Sequence, residues 1–257
     1  MQAQGPLSVM PLQGMPLFAQ RMSIAAEVVA AMLRDGDVVR SGDIVVVAQK
    51  IVSKAEGRLV RLADVEPGEA AWQLATATGR EPEMAQLIID ESSEILRMAP
   101  AAIIARHKTG HVLANAGIDA SNVEGGDVLL WPQDPDASAR AIRAELVALT
   151  GHHPAVVIAD SLGRAWRIGT VGAAIGCAGL CVLDDRRGTG QDLFGRTLQA
   201  TVIAVADAIS AAAVLAMGEG AEGTPAALVR GGGHWVLEHD GPGAASALRP
   251  QAEDMFR

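Results

Sequence analysis

Apolar positions along the chain recur at two periods, and the change from one to the other marks out the elements. Ile24, Val28, Ala31 and Met32 return at helical spacing behind Ser23, so residues 23–34 are predicted to form an amphipathic helix that Asp35-Gly36-Asp37 stops. An unbroken apolar run then predicts a buried strand over 43–48. The polar segment 49–58 follows, carrying Lys50, Lys54 and Arg58. Cations directly behind a buried strand stand where α/β proteins commonly bind ligands, and a solvated loop fits the same letters. Two helices are predicted at 67–78 and 82–92, the second with Pro82 in its first turn. Short strands at 94–98, 101–105, 111–114 and 127–131, separated only by turn residues, predict antiparallel pairing. Asp134-Pro135 opens a helix to Thr150 with Ile142, Leu146 and Leu149 on one face and Gly151 as its stop.

A second buried strand is predicted at 155–159, terminating at Asp160-Ser161. The Gly/Ala-rich run 172–179 permits close backbone approach, to a ligand, to another chain or within packed sheets. An Ala-rich helix over 197–217 ends at Gly218, and the acidic, Gly-rich turn 219–225 precedes a strand at 226–230. Residues 11–18 read as a strand running into a turn, the tail beyond Gly231 carries few order signals, and no internal repeat is present.

Composition narrows this picture. At 257 residues the chain makes one large domain or two small ones. Hydrophobic residues make up 49% but aromatics only 3%, with no Tyr, so the core must be built from Ala, Val, Leu and Ile. A net charge of −9 argues against non-specific nucleic-acid or anionic-membrane binding, while leaving open a small anionic substrate met by local cations. Nothing at the N-terminus resembles a signal peptide and two cysteines make no disulfide framework, so a cytoplasmic protein is expected. The 197–217 segment has membrane-spanning length but contains Gln199 and Asp207, which favours a helix buried in protein.

The candidate chemistry centres on residues 107–127. Asn115-Ala-Gly117 and Asp119-Ala-Ser-Asn122 are turn chemistry, and they carry Asp119 and Asn122 to a rim. A carboxylate there suits a hard cation such as Mg²⁺ or Mn²⁺, and an Asx-turn with nothing bound fits equally. His107 and His111 are four apart, but no Glu follows the first and strand signals replace the helix of a zincin. Cys177 and Cys181 form a C-x₃-C pair without a second pair. There is no nucleophile elbow, no Walker loop and no dinucleotide-binding turn. What remains is a dispersed set of oxygen donors, Asp119, Asp160, Ser161 and Glu219, beside the cations Lys50, Lys54, Arg164 and Arg167. Carboxylates that hold divalent ions, with Lys and Arg at phosphate distance, are what phosphoryl transfer requires.

These blocks, in this order, resemble the coenzyme F420:L-glutamate ligase (F420-0 γ-glutamyl ligase) family. The matching stretches are Gly14-Met-Pro-Leu17, 46–57 (VVAQKIVSKAEG), 115–123 (NAGIDASNV), Asp160-Ser-Leu-Gly-Arg164 with Arg167 and Gly169, Ala174-Ile-Gly176, and Met217-Gly-Glu-Gly220 with Pro225 and Val229-Arg-Gly231. The resemblance implies a GTP-dependent amide ligase that needs two divalent ions, Mg²⁺ or Mn²⁺, and is helped by K⁺. GTP would phosphorylate the terminal carboxylate of the phospholactyl precursor F420-0, and the amine of L-glutamate would displace phosphate, with further γ-linked glutamates able to follow.

By the same resemblance Asp119 and Asp160 are metal ligands, with Ser161 and Glu219 at a second metal. Met15, Pro16, Leu17, Phe18, Gln49, Lys50, Lys54, Asn122 and the turn Met217, Gly218, Glu219, Gly220, Ala221, Glu222, Gly223, Thr224 are similar to the family's nucleotide-binding positions. Arg164 and Arg167 are candidates for the anionic tail on charge grounds alone, and the cysteines are given no role. The implied fold is α+β, with two mixed subdomains (about 1–80 plus 185–257, and about 81–184), largely antiparallel sheets and an intertwined homodimer whose site lies near the subunit junction. The chain is too short for the flavin-binding nitroreductase-like domain that some relatives carry, so no FMN is expected. A metal-dependent phosphohydrolase, or a non-catalytic nucleotide-binding protein, would use the same residues.

Overall fold

The computed structural model describes residues 5–254 apart from 101 and 124. The elements, in chain order, are β1 (Ser8–Pro11), α1 (Ile24–Arg34), β2 (Ile44–Ala48), α2 (Gln49–Ala55), β3 (Leu59–Arg61), α3 (Glu69–Thr78), α4 (Pro82–Asp90) and β4 (Ser92–Ala99). They continue with β5 (Ala102–His107), β6 (Val112–Ala114), β7 (Asp127–Leu129), α5 (Pro135–Thr150), β8 (Ala155–Arg164), β9 (Arg167–Ala178), β10 (Leu183–Asp185), β11 (Val202–Ala204), α6 (Val205–Met217) and β12 (Ala226–Arg230).

The main sheet runs β1-β12-β2-β8-β9. Only β2 and β8 are parallel, paired from Ile44↔Ala155 to Ala48↔Ala159; the other neighbours are antiparallel. Side chains alternate across its plane, as strand geometry requires. Val45, Val47, Val156, Ile158 and Leu228 face α1 and α5, while Ile44, Val46, Val157 and Val229 face α6. The strands are apolar on both faces because both are covered, which is why the sequence shows a run rather than an alternation. A three-stranded sheet β4-β5-β6 carries α3 and α4 on a separate core of Leu74, Ala85, Ile88, Ile103 and Ala105, and β3 pairs with β7. The whole is α+β.

Local chemistry sets the helix ends. The Ser23 hydroxyl accepts from Ala26 N–H at 2.9 Å and opens α1, and the Asp134 carboxylate accepts from Ala137 N–H at 2.9 Å and opens α5, which Gly151 closes in the left-handed region (φ 70°). Leu149 departs from its expected face and is 52% exposed, lining an apolar groove with Val29, Met32 and Val39.

Several boundaries differ from the sequence reading. The first strand is Ser8–Pro11 rather than 11–18; Leu12 N–H still bonds Ala226 O at 2.8 Å, and the chain then leaves the sheet. Residues 49–55 are a helix, not a loop. β8 does not stop at Asp160 but continues to Arg164 and turns into β9. The Ala-rich helix begins at Val205, where Asp207 sits in the positively polarised first turn and accepts from Ala174 N–H at 2.9 Å; residues 202–204 are a strand instead. The predicted strand at 101–105 begins at Ala102, with residue 101 outside the described residues.

A Cβ at Gly172 would stand 2.4 Å from Ser210 O, and one at Gly176 would stand 2.3 Å from Pro135 O, so the small-residue run lets α6 and α5 seat against β9. Among the described residues no helix is long and apolar enough to cross a membrane. The tail is fastened by Arg143, buried in α5: its guanidinium donates to Pro154 O (2.9 Å), Asp240 Oδ1 (2.7 Å), Leu237 O (2.8 Å) and Glu238 O (3.0 Å). Arg143→Leu strands these acceptors and is expected to lower stability by about 3 kcal/mol, read as a shifted urea midpoint with an unchanged slope.

Candidate active-site cleft

The parallel pair β2/β8 has its carboxyl ends side by side, and β12 enters the sheet there, with Ala48 N–H bonded to Pro225 O at 2.8 Å. A crevice outside the carboxyl ends of parallel strands is where open sheets bind ligands. Here a cleft of about 410 Å³ opens, within the range of ligand pockets. Its walls come from four separate stretches: Met15, Pro16, Leu17 and Phe18 after β1; Gln49, Lys50 and Lys54 on α2; Asp160 and Ser161 on β8; and the turn Met217, Gly218, Glu219, Gly220, Ala221, Glu222, Gly223, Thr224 behind α6, with Asn122 at the rim.

Each wall is held locally. In the turn, the Glu222 carboxylate accepts from Gly220 N–H at 2.7 Å, and the Thr224 hydroxyl donates to Met217 O. The letters 218–223 spell G-x-G-x-x-G, but they run from a helix into a strand, the reverse of a dinucleotide turn. On α2, Lys50 and Lys54 stand four residues apart and share a side, while Gln49, Ile51, Val52 and Ser53 are buried. The Gln49 amide donates to Ser53 Oγ (2.6 Å) and Leu130 O (3.5 Å), and its buried Oε1 carries no hydrogen bond. Lys54 Nζ donates to Asn122 O at 2.8 Å and ties the rim loop to α2.

Asp119 does not itself line the cleft; the turn that the sequence indicated brings it to Lys50, which does. Asn115, Ala116 and Gly117 all take positive φ (52°, 52° and 74°), reversing the chain after β6. Asp119 N–H then bonds Leu129 O (3.0 Å), and Leu129 N–H bonds Asp119 O (2.8 Å). The Asp119 carboxylate accepts from Ser121 N–H at 2.6 Å, so the Asx-turn forms, and its other oxygen pairs with Lys50 Nζ. Burial works to raise the Asp119 carboxyl, but the Lys50 ammonium and the Ser121 N–H outweigh it and hold it below the ordinary range.

Asp160 titrates in the opposite sense. Its Oδ2 accepts from Trp131 Nε1–H at 2.8 Å and its Oδ1 from Ser161 N–H at 2.9 Å. Burial nevertheless pushes the carboxyl up to about 6, against the pull of Lys50, Trp131 and Ser161; the negative charge of Asp119 adds to the rise. Two carboxylates from distant parts of the chain therefore feel each other across one lysine. In the sequence reading Trp131 is only the last residue of the strand expected at 127–131 and no candidate site residue; the observed strand ends two residues earlier, at Leu129.

Arg164 and Arg167, proposed from charge alone, do not line the cleft. They sit at the exposed tip of the β8–β9 hairpin, where Arg164 Nη2 donates to Ile168 O at 3.5 Å. Because β8 runs on past Asp160, Arg164 lies about 13 Å further along the strand. Cys177 and Cys181 are free thiols, and burial pushes the Cys177 thiol up to about 12, leaving it uncharged. His107 and His111 bond the Thr109 hydroxyl through Nδ1 at 2.9 Å each and pack on Trp131.

No three His, Cys, Asp or Glu side chains cluster as a ready-made metal cage among the described residues. The donor types suit a hard cation all the same: Asp119, Asp160 and the Ser161 hydroxyl offer oxygen atoms, and the part-buried Asp160 carboxylate makes, among the described residues, no ion pair closer than its interaction with Lys50. Such a site would be completed by substrate oxygens and water, as is common for Mg²⁺.

Fold and cleft together define an α+β protein that brings Asp160, two lysines and a glycine-rich turn around one ligand-sized opening, with Asp119 tied to it through Lys50. Residues 14–231 match the family described as F420-0:Gamma-glutamyl ligase, and the chain belongs to that family. It is 43% identical to the coenzyme F420:L-glutamate ligase of Methanothermobacter thermautotrophicus, over 98% of this chain and 99% of that one. It is 42% identical to the protein of the same name from Archaeoglobus fulgidus, over 98% of this chain and 96% of the relative. Against that of Haloarcula marismortui it is 46% identical, over 79% and 80%.

Proposed function

We propose that this chain is a GTP-dependent ligase that joins L-glutamate through an amide bond to the terminal carboxylate of F420-0. The observation that carries the reading is Lys50, which lines the cleft with Asp160, pairs with Asp119 and acts on both carboxylates. A carboxylate is a poor electrophile until one of its oxygens becomes a good leaving group. Transfer of the γ-phosphoryl of GTP to it supplies that group as an acyl phosphate. The glutamate amine then adds to the carbonyl carbon, phosphate departs with the C–O bond electrons, and the amine loses a proton.

Little covalent chemistry falls to the protein in phosphoryl transfer; its work is positioning and charge stabilisation. Met15–Phe18 and 217–224 would hold the nucleotide, and Lys50 and Lys54 would offset its phosphate charge. Asp119, Asp160, Ser161 and Glu219 would hold two divalent ions, Mg²⁺ or Mn²⁺, with K⁺ assisting. When bound, the cations neutralise charge that builds on the transferring phosphoryl group. The reading includes a homodimer with the site near the subunit junction. Arg164 and Arg167 would then serve an anionic tail bound in the partner's cleft, since they stand outside their own.

Mass spectrometry of the products from F420-0, GTP, Mn²⁺ and glutamate tests the reaction class. Addition of one or more glutamyl units, with multiple-turnover GDP formation only when both acceptor and glutamate are present, is the expected result. Phosphate release from GTP without either would make the chain a phosphohydrolase instead.

A further inference from the structure

The segment Leu129–Trp131 touches both carboxylate-bearing stretches. At its start, Leu129 exchanges two backbone hydrogen bonds with Asp119, at 3.0 and 2.8 Å. At its end, the Trp131 indole N–H donates to Asp160 Oδ2 at 2.8 Å. One short extended piece of chain therefore spans the gap between Asp119, which arrives from the β6 turn, and Asp160, which arrives on the main sheet.

The indole cannot relax away from this contact. Trp131 is fully buried. His107 and His111 pack on its ring, with centroids 5.1 and 5.4 Å away, and Thr109 links the two imidazoles. A Cβ at Gly117 would stand 2.6 Å from the indole, and Gly117 also holds a left-handed φ of 74°, so only glycine fits at the turn that leads to Asp119. From behind, Arg58 Nε–H donates to Trp131 O at 2.8 Å, and Arg58 is fixed by Glu91 at 2.6 Å.

A buried indole N–H needs an acceptor in any case; what is particular here is that the acceptor is Asp160, a carboxylate that lines the cleft. We infer that Trp131 is a positioning residue: its indole N–H occupies one lone pair of Asp160 and fixes the carboxylate's orientation and its spacing from Asp119, so that the remaining oxygen lone pairs converge on a divalent cation. Groups that hydrogen-bond ligating carboxylates set ligand orientation, and their loss weakens metal binding about 10–100-fold. The inference rests on the proposed metal roles of Asp119 and Asp160, and the test separates the two.

Binding of Mn²⁺ alone, followed by the loss of the free-ion EPR signal, is measured for wild type, Asp160→Asn and Trp131→Phe; Phe keeps a ring in the pocket and removes the donor. The expected order is wild type tightest, Trp131→Phe weaker by about 10–100-fold, and Asp160→Asn without measurable binding. In turnover, Trp131→Phe should need correspondingly more Mn²⁺ for half-maximal rate. Wild-type binding by Asp160→Asn, or none by the wild type, overturns the metal assignment and the inference with it. Loss in Asp160→Asn alone, with Trp131→Phe merely melting earlier, overturns the inference and leaves the metal assignment standing. Should Trp131→Phe not fold, ¹⁵N-labelled wild-type protein decides. Mg²⁺ should shift the exchange-protected indole resonance of Trp131 and leave that of the exposed Trp166 in place; an unmoved Trp131 resonance contradicts the inference.

Discussion

Asp160→Asn is expected to lower ligation turnover by more than about 10²-fold, the scale for losing one strong charge stabiliser at a phosphoryl-transfer site. The metal-free variant should also lose a pH dependence that the wild type has. In the fold the Asp160 carboxyl titrates near 6 because burial disfavours its charge, whereas an unstructured Asp titrates near 3.9. A raised carboxyl favours the folded state fully below about pH 4, and that contribution is lost as pH rises through about 6. For a shift of this size the loss is on the order of 2–3 kcal/mol. Thermal melts of both proteins between pH 4 and 8, without divalent ions, should show the variant gaining on the wild type across that window. Parallel curves would mean that Asp160 carries no burial penalty. Asp119 acts with the opposite sign: its carboxyl is held low, so its contribution is present at neutral pH and disappears as the solution is acidified.

Lys50→Met is expected to cost about 10²–10³-fold in turnover, since a lysine that offsets phosphate charge serves the transition state more than the ground state. The substitution keeps the apolar stem and removes the partner of Asp119. Lys50 also opposes the rise in the Asp160 carboxyl, so its removal should move that titration further up, visible in ¹³C NMR of the Asp side chains. A variant of near-wild-type rate would place the nucleotide phosphates elsewhere.

Where apolar residues decide a structure, the sequence announced it. The runs at 44–48 and 155–159 became the parallel pair, and the caps Ser23 and Asp134 opened their helices. Where function has claimed a face, the periodic signal faded. The α2 helix was read as a polar segment because Lys50 and Lys54 point to the cleft while Gln49 and Ser53, both polar, occupy buried positions. The hairpin beyond Asp160 was missed for another reason: residues 163–170 are exposed on both faces, so no alternation marks them as strand. That hairpin carries Arg164 and Arg167 to its exposed tip, away from the cleft.

The candidate site divides in the same way. Its carboxylates and lysines were legible from chemistry, and the turns at 15–18 and 217–224 only through family resemblance, because their contribution is largely backbone. Trp131 was legible as the end of a predicted strand, not as a site residue. Its importance comes from a contact to Asp160 across 29 positions of sequence, and no local pattern encodes that.

The most direct test is a crystal structure of the chain grown with GDP and Mn²⁺, with anomalous diffraction collected at the manganese edge. The account predicts an anomalous peak bonded to carboxylate oxygens of both Asp119 and Asp160, with the nucleotide phosphates beside Lys50. Manganese bound elsewhere, or two carboxylates that engage the nucleotide with no ion between them, would contradict it.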